Sequence, residues 1–333
     1  MHPRLLVAIT MLSLLPASAQ KPYAPPHTPY GQPDFEGIWT NATLTPLERP
    51  AEFANKPTLT PQEAAEHKNR ILQQFDRDRR DGGAQADLAR AYGSMWWDAD
   101  TKLAPNNRTS LIVDPPDGKV PPLTPAAQQK LQAARAEQRL HPADGPESRS
   151  LTDRCLVWPT AGPPMLPSFY NNAPYGPLVT NYQIAQTPTA VVILMEIIHD
   201  ARIIPVDGRP HLPDTVRQWF GDPRGHWDGN TLVVETTNFT DKTRFRGSGE
   251  NMRLTERFTR TAPDTILYEF TVNDPESFTR PWSAVIPMIK SDGPVYEHAC
   301  HEGNYALSGI LGGARADEKK DEKKAAEQAG KGK

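Results

Sequence analysis

The sequence predicts a mainly β protein, an antiparallel barrel or sandwich of the lipocalin kind, with helical and proline-rich additions on its N-terminal side. Three observations predict it. Residues 182–305 break into short β-rich runs at hairpin spacing. Turn residues separate those runs; Asp228-Gly229-Asn230 is the clearest, because glycine and asparagine accept the positive φ of a tight hairpin. The 35 prolines among 333 residues are about twice ordinary usage and disfavour long helices.

In chain order, Arg4, the apolar run Leu5 to Leu15 and Ala17-Ser18-Ala19 have the charged start, short hydrophobic core and small-residue cleavage site of a secretory signal peptide. Residues 1–19 are therefore expected to be removed, leaving a periplasmic or secreted chain that begins at Gln20. The apolar run is shorter than the ~20 residues that span a bilayer, so no stable membrane insertion is expected. Residues 20–33 are a proline-rich arm, expected on the surface or across a pocket mouth. Residues 34–181 form a helical and irregular segment packed on the sheet. A short strand is expected at 35–41. Thr60-Pro61-Gln62-Glu63 then starts a helix with a capping box, running to about Arg80 with Ile71, Leu72 and Phe75 on its apolar stripe. Leu111-Ile112-Val113 is a short strand, and Thr124-Pro125 opens a second helix whose face, Leu131 and Leu140, is thin.

The antiparallel domain spans residues 182–314. Its strands are expected at 182–187, 190–199, 202–206, 232–239, 254–260, 266–273, 282–289 and 295–300. Residues 315–333 mix lysine with acids and lack aromatics, the composition of a solvated helix or a disordered tail. Cys155 and Cys300 are the only cysteines and form no Cys-x-x-Cys motif, so in an exported chain they are expected to pair. Closing so long a loop stabilises by about 4 to 5 kcal/mol in the chain-entropy model. A net charge of −3 gives no footprint for nucleic acid.

Glu196 interrupts the apolar run Val191 to Ile198, and a carboxylate there must be paired, protonated or facing a wet cavity. Strand alternation groups it with Val192, Leu194 and Ile198 and turns His199 the other way. Two readings stand: a pocket acid with a raised pKa, or an ion pair with Arg202. Glu235, on a face with Val233 and Thr237, is a second inward candidate. In an enzyme, Glu196 would take a proton and Glu235 or His226 return it. Glu256, on a face with Leu254 and Phe258, would be a third inward acid, but it is assigned to solvent, since Arg257, Thr259 and Arg260 make its strand polar.

Residues 219–227 read as an aromatic loop. Trp219, Trp227 and Arg224, with His199 and Trp282, are the expected ligand contacts, because aromatic faces and a planar guanidinium suit a sugar ring or an aromatic acid. The alternative is that these aromatics plug one end of a barrel. Met95 to Asp98 and residues 170–175 could extend the same wall. Residues 297–302 are not expected to hold a metal: alternation separates His298 and Cys300 from Glu297 and His301, and Tyr305 stands where a His-Glu-x-x-His zinc motif needs its second histidine. His298 is instead expected to be hydrogen-bonded inside the fold. No nucleophile elbow, phosphate loop or dinucleotide glycine pattern occurs, and no cofactor is expected.

Five segments carry a family resemblance: PDFEGIWTN from Pro33, RTSLIVDPPDGKVPPLTP from Arg108, MEIIHDARIIPVDGRPH from Met195, RGHWDGNTLVVETTNF from Arg224 and EHACHEGNY from Glu297. In these the chain resembles a family of exported bacterial proteins without an assigned activity. The resemblance implies export and the β fold, and no catalytic roles. The functional expectation is an exported protein that binds a small molecule, a sugar or an aromatic acid. The alternatives are a lyase, isomerase or hydratase without metal, and an envelope assembly protein whose aromatic loop is a docking patch.

Overall fold

Apolar side chains at every second position gather the strands into one antiparallel sheet that curls until its two ends nearly meet. The computed structural model describes residues 23–74, 76, 78, 81–89, 102–158, 162–166, 181–242 and 245–331. Its strands are β1 (Gly37–Thr40), β2 (Ile112–Asp114), β3 (Asn181–Gln186), β4 (Ala190–Met195), β5 (Asp200–Pro205), β6 (Asp222–Asp228), β7 (Thr231–Thr237), β8 (Arg253–Ala262), β9 (Thr265–Asn273) and β10 (Trp282–Lys290). They follow one another in the order β5, β4, β3, β1, β10, β9, β8, β7, β6, and β2 pairs with β10 off this path. The helices are α1 (Pro61–Gln74), α2 (Gly83–Ala89), α3 (Pro125–Leu140) and α4 (Tyr305–Lys331). No helix among the described residues is long and apolar enough to cross a membrane.

The end strands β5 and β6 face each other across a seam without a hydrogen-bonded ladder. Each carries a proline, Pro205 and Pro223, which has no N–H to donate to such a ladder. Side chains close the seam instead. A Cβ on Gly225 would lie 2.9 Å from Ile204 Cγ2 and 3.0 Å from Val206 Cγ1, so the two strands approach this closely only because residue 225 has none.

Large side chains fill the interior: Trp39, Tyr182, Phe258, Tyr268, Phe270 and Trp282 are all at most 1% exposed. A lipocalin-like barrel would hold its ligand there, whereas here the middle is occupied by the protein itself. The segment leading into β1 covers the end where β6 finishes. Phe35 N–H donates to Gln186 Oε1 at 2.6 Å, and the Phe35 ring meets Trp227 at 5.4 Å. Helix α1 begins with the expected capping box: Glu63 N–H donates to Thr60 Oγ1 at 3.3 Å, and Thr60 N–H to Glu63 Oε2 at 2.9 Å. Lys56 also holds Glu63, and these bonds lower its carboxyl to about 2.

Three expectations need correction. Residues 222–228 are strand rather than loop, because β6 pairs with β7 along its whole length. The strand expected at 190–199 stops at Met195: Glu196 is helical at φ −60°, and Ile198 turns to φ +65°. Residues 295–300 form no strand. Of the two readings of the charged tail, residues 315–331 take the helical one within α4, which is anchored by Arg315 on the Ala143 and Asp144 carbonyls at 2.9 Å. In addition, α1 ends at Gln74, short of Arg80, with Asp76 already non-helical.

Gly225→Val should destabilise the fold by about 1 to 3 kcal/mol, since its methyl groups would force β5 away from β6. Urea unfolding at equilibrium measures this, and an unchanged midpoint would show that the seam is loose.

Candidate functional site

Inside the barrel, Arg202 on β5 reaches β8. Its Nη1 and Nη2 donate to Glu256 Oε1 and Oε2 at 3.1 Å and 2.6 Å, and both side chains are at most 2% exposed. Tyr268 OH donates to the same Oε1 at 2.7 Å and accepts the Met165 N–H at 3.0 Å. Burial alone would lower the pKa of Arg202, but Glu256, together with Tyr268 and Tyr182, offsets it and the net shift is upward. Burial, reinforced by the Glu256 charge, pushes Tyr268 well above the ordinary phenol range. Tyr182, which accepts from Asn41 Nδ2 at 3.3 Å, is raised by burial too. The network is thus an ion pair with a neutral phenol donor, and its acid is already committed.

Glu256 therefore points inward, against the solvent assignment; its strand shows the alternation Leu254, Glu256, Phe258, Arg260 on the buried face. Arg202 is consequently not the partner of Glu196. Glu196 is 2% exposed, and its Oε1 accepts the Tyr296 N–H at 2.9 Å, which fastens the segment after β10 to the end of β4.

The other expected catalytic residues lie elsewhere. Glu235 and His226 are exposed on the outer face of β7 and β6, because the inward positions of β7 are Leu232, Val234 and Thr236. Glu196, Glu235 and His226 are thus not brought together. Among the expected ligand contacts, His199 is exposed in the turn after β4. Trp282 is core, with the rings of Phe270 and Phe245 5.5 Å and 5.9 Å away. Arg224 is used structurally: Nη1 donates to Asp222 Oδ1 at 2.6 Å and Nε to the Pro210 carbonyl at 2.7 Å. Trp219 and Trp227 flank β6, one before its start and one near its finish, so they serve opposite ends of the barrel about 20 Å apart.

Trp219 lines a hollow of about 440 Å³ at the end where β6 starts and β7 finishes. Trp158, Phe220, Phe239 and Phe245 supply the rest of its aromatic wall, and Ser150, Thr152, Lys242 and Arg246 its polar side chains. Gly162 lies flat on Phe220: a Cβ there would be 2.3 Å from the ring. A second, open groove of about 470 Å³ shares Trp219 and Phe220 and follows the top of the seam between residues 200–203 and 217–223. The wall segments 95–98 and 170–175 lie outside the described residues.

The expected disulfide is present. Cys155 and Cys300 are bonded with a Cα–Cα distance of 5.7 Å. It staples the 150–158 wall to the C-terminal segment, where Asn304 Nδ2 also donates to the Asp153 carbonyl at 2.8 Å. His298 backs Trp158 with ring centroids 6.1 Å apart, and its buried Nδ1 has no partner among the described residues, contrary to the expected hydrogen bond. Glu196 and the disulfide thus fasten one strap that braces the hollow from behind. Among the described residues no three His, Cys, Asp or Glu side chains converge as metal ligands would.

Sequence reasoning reached Trp219 and missed Trp158, Phe239, Lys242, Phe245 and Arg246. The last four follow the end of β7 within the run NFTDKTRFR, whose aromatic and basic residues were the available signal. Arg202→Met should cost about 3 to 5 kcal/mol by leaving Glu256 buried and unpaired, and adding Glu256→Leu should recover most of it. Chemical denaturation of the wild type, the single and the double variant tests this; a single variant as stable as wild type would refute the pairing.

No family model, curated protein or solved structure matches this chain.

Proposed function

We propose that this is an exported protein, periplasmic or secreted, that binds a small organic molecule, a sugar or an aromatic acid, in the hollow at the end of its barrel. The observation that carries the reading is the hollow's aromatic wall, built from three separate stretches of chain and braced by a disulfide. A barrel whose middle is filled presents its ligand site at a mouth, and concave, mostly apolar walls with a few polar groups are what small-molecule sites share. The acid–base reading draws no support from the arrangement of its residues, since Glu196 is buried at the end of β4 whereas Glu235 and His226 are exposed on the outer face of β7 and β6.

A thermal-shift screen of sugars, uronic acids and phenolic acids on the chain from Gln20 tests the proposal, because a ligand that binds only native protein raises its melting temperature. A hit is expected whose affinity falls tenfold or more in Trp219→Ala. The same hit should be unaffected by Glu196→Gln, since Glu196 does not line the hollow. A screen without shifts, together with a protein partner recovered by crosslinking, would favour the assembly role instead.

A further inference from the structure

The polar side chains of the end hollow are few and lopsided. Lys242 and Arg246 are its two cations, and among the described residues no Asp, Glu, Asn, Gln or His lines it. The Lys242 ammonium makes no ion pair or hydrogen bond with any described residue. Arg246 stands 3.8 Å from Glu48, and burial lowers its pKa more than Glu48 raises it, so its charge is poorly solvated. The Arg246 backbone is held at φ +53°, a left-handed conformation that costs an ordinary residue free energy and that functional sites tolerate.

This set of groups discriminates between ligand classes. A sugar presents hydroxyls around a ring and needs planar amide or carboxylate partners, of which the described wall has none; Ser150 and Thr152 are its only neutral polar side chains. A flat aromatic body fits the faces of Trp158, Trp219 and Phe220, and an anionic group on it would meet the Lys242 ammonium. Resting on the ligand-binding reading above, we propose that the hollow recognises an aromatic carboxylate and that Lys242 supplies its counter-charge.

The test is isothermal titration of the chain from Gln20 with 2-naphthoate and with 2-naphthamide, which share a shape and differ in charge. Naphthoate should bind at least tenfold more tightly, the loss expected when one charge-assisted bond is missing. Raising the salt concentration should weaken naphthoate and leave the amide unchanged. Lys242→Gln, a surface change that leaves the core untouched, should lower naphthoate affinity about tenfold without altering the amide. Equal binding of both probes, or a naphthoate preference that survives Lys242→Gln, would overturn the assignment of charge while leaving the hollow as a binding site. Binding of neither probe would overturn the ligand class outright, and if the wider screen were also empty, the ligand-binding reading would fall with it.

Discussion

A single buried ion pair decides whether this sheet behaves as a barrel. Hydrogen bonds join each of nine strands to its neighbours everywhere except between β5 and β6, where two prolines and a close glycine contact leave only side-chain packing. The Arg202–Glu256 bridge crosses the interior from β5, one end strand, to β8, so it fastens one lip of the seam to the sheet beyond the other. Breaking it would leave a charge without water or partner, a penalty of several kcal/mol that ordinary strand fraying does not carry. Tyr268 extends the bridge to Met165, and through it to the 162–166 segment that borders the hollow.

That arrangement separates stability from recognition. The middle of the barrel is given over to aromatic packing and one ionic network, so chemistry that needs space moves to the end. There the wall is assembled from loops, and loops need anchoring. The disulfide, Asn304 and the Tyr296–Glu196 hydrogen bond together press the C-terminal segment against the back of Trp158. Glu196 thus holds the C-terminal segment in position, a role that a carboxylate buried at a strand end fills by capping a backbone N–H.

Much of the fold was legible because its signals are local. Alternation marked seven of the strands, the Thr60–Glu63 box marked α1, and two cysteines in a chain expected to be exported implied their bond. The failures come from non-local effects. β6 looks like a loop because Pro223, Arg224 and Gly225 are poor strand formers, and only pairing with β7 and the close approach to Ile204 make it one. Glu256 looks solvent-facing because its strand is polar in sequence; its burial depends on Arg202, 54 residues away. The aromatic residues around β6 were read with the wrong grouping. Trp219 and Trp227 are close in sequence, yet a seven-residue strand sends them to opposite ends, whereas Trp158 and Phe245 reach Trp219 from distant parts of the chain.

Native-state hydrogen exchange on β5 tests most directly whether the seam is clasped. If Arg202 and Glu256 fasten β5 to the sheet beyond the seam, amides of β5 bonded to β4 should exchange with the same opening free energy as those of β8, through unfolding of the whole barrel. Exchange of β5 by local fraying, with far weaker protection than β8, would contradict a clasped barrel and leave an open sheet with a loose edge.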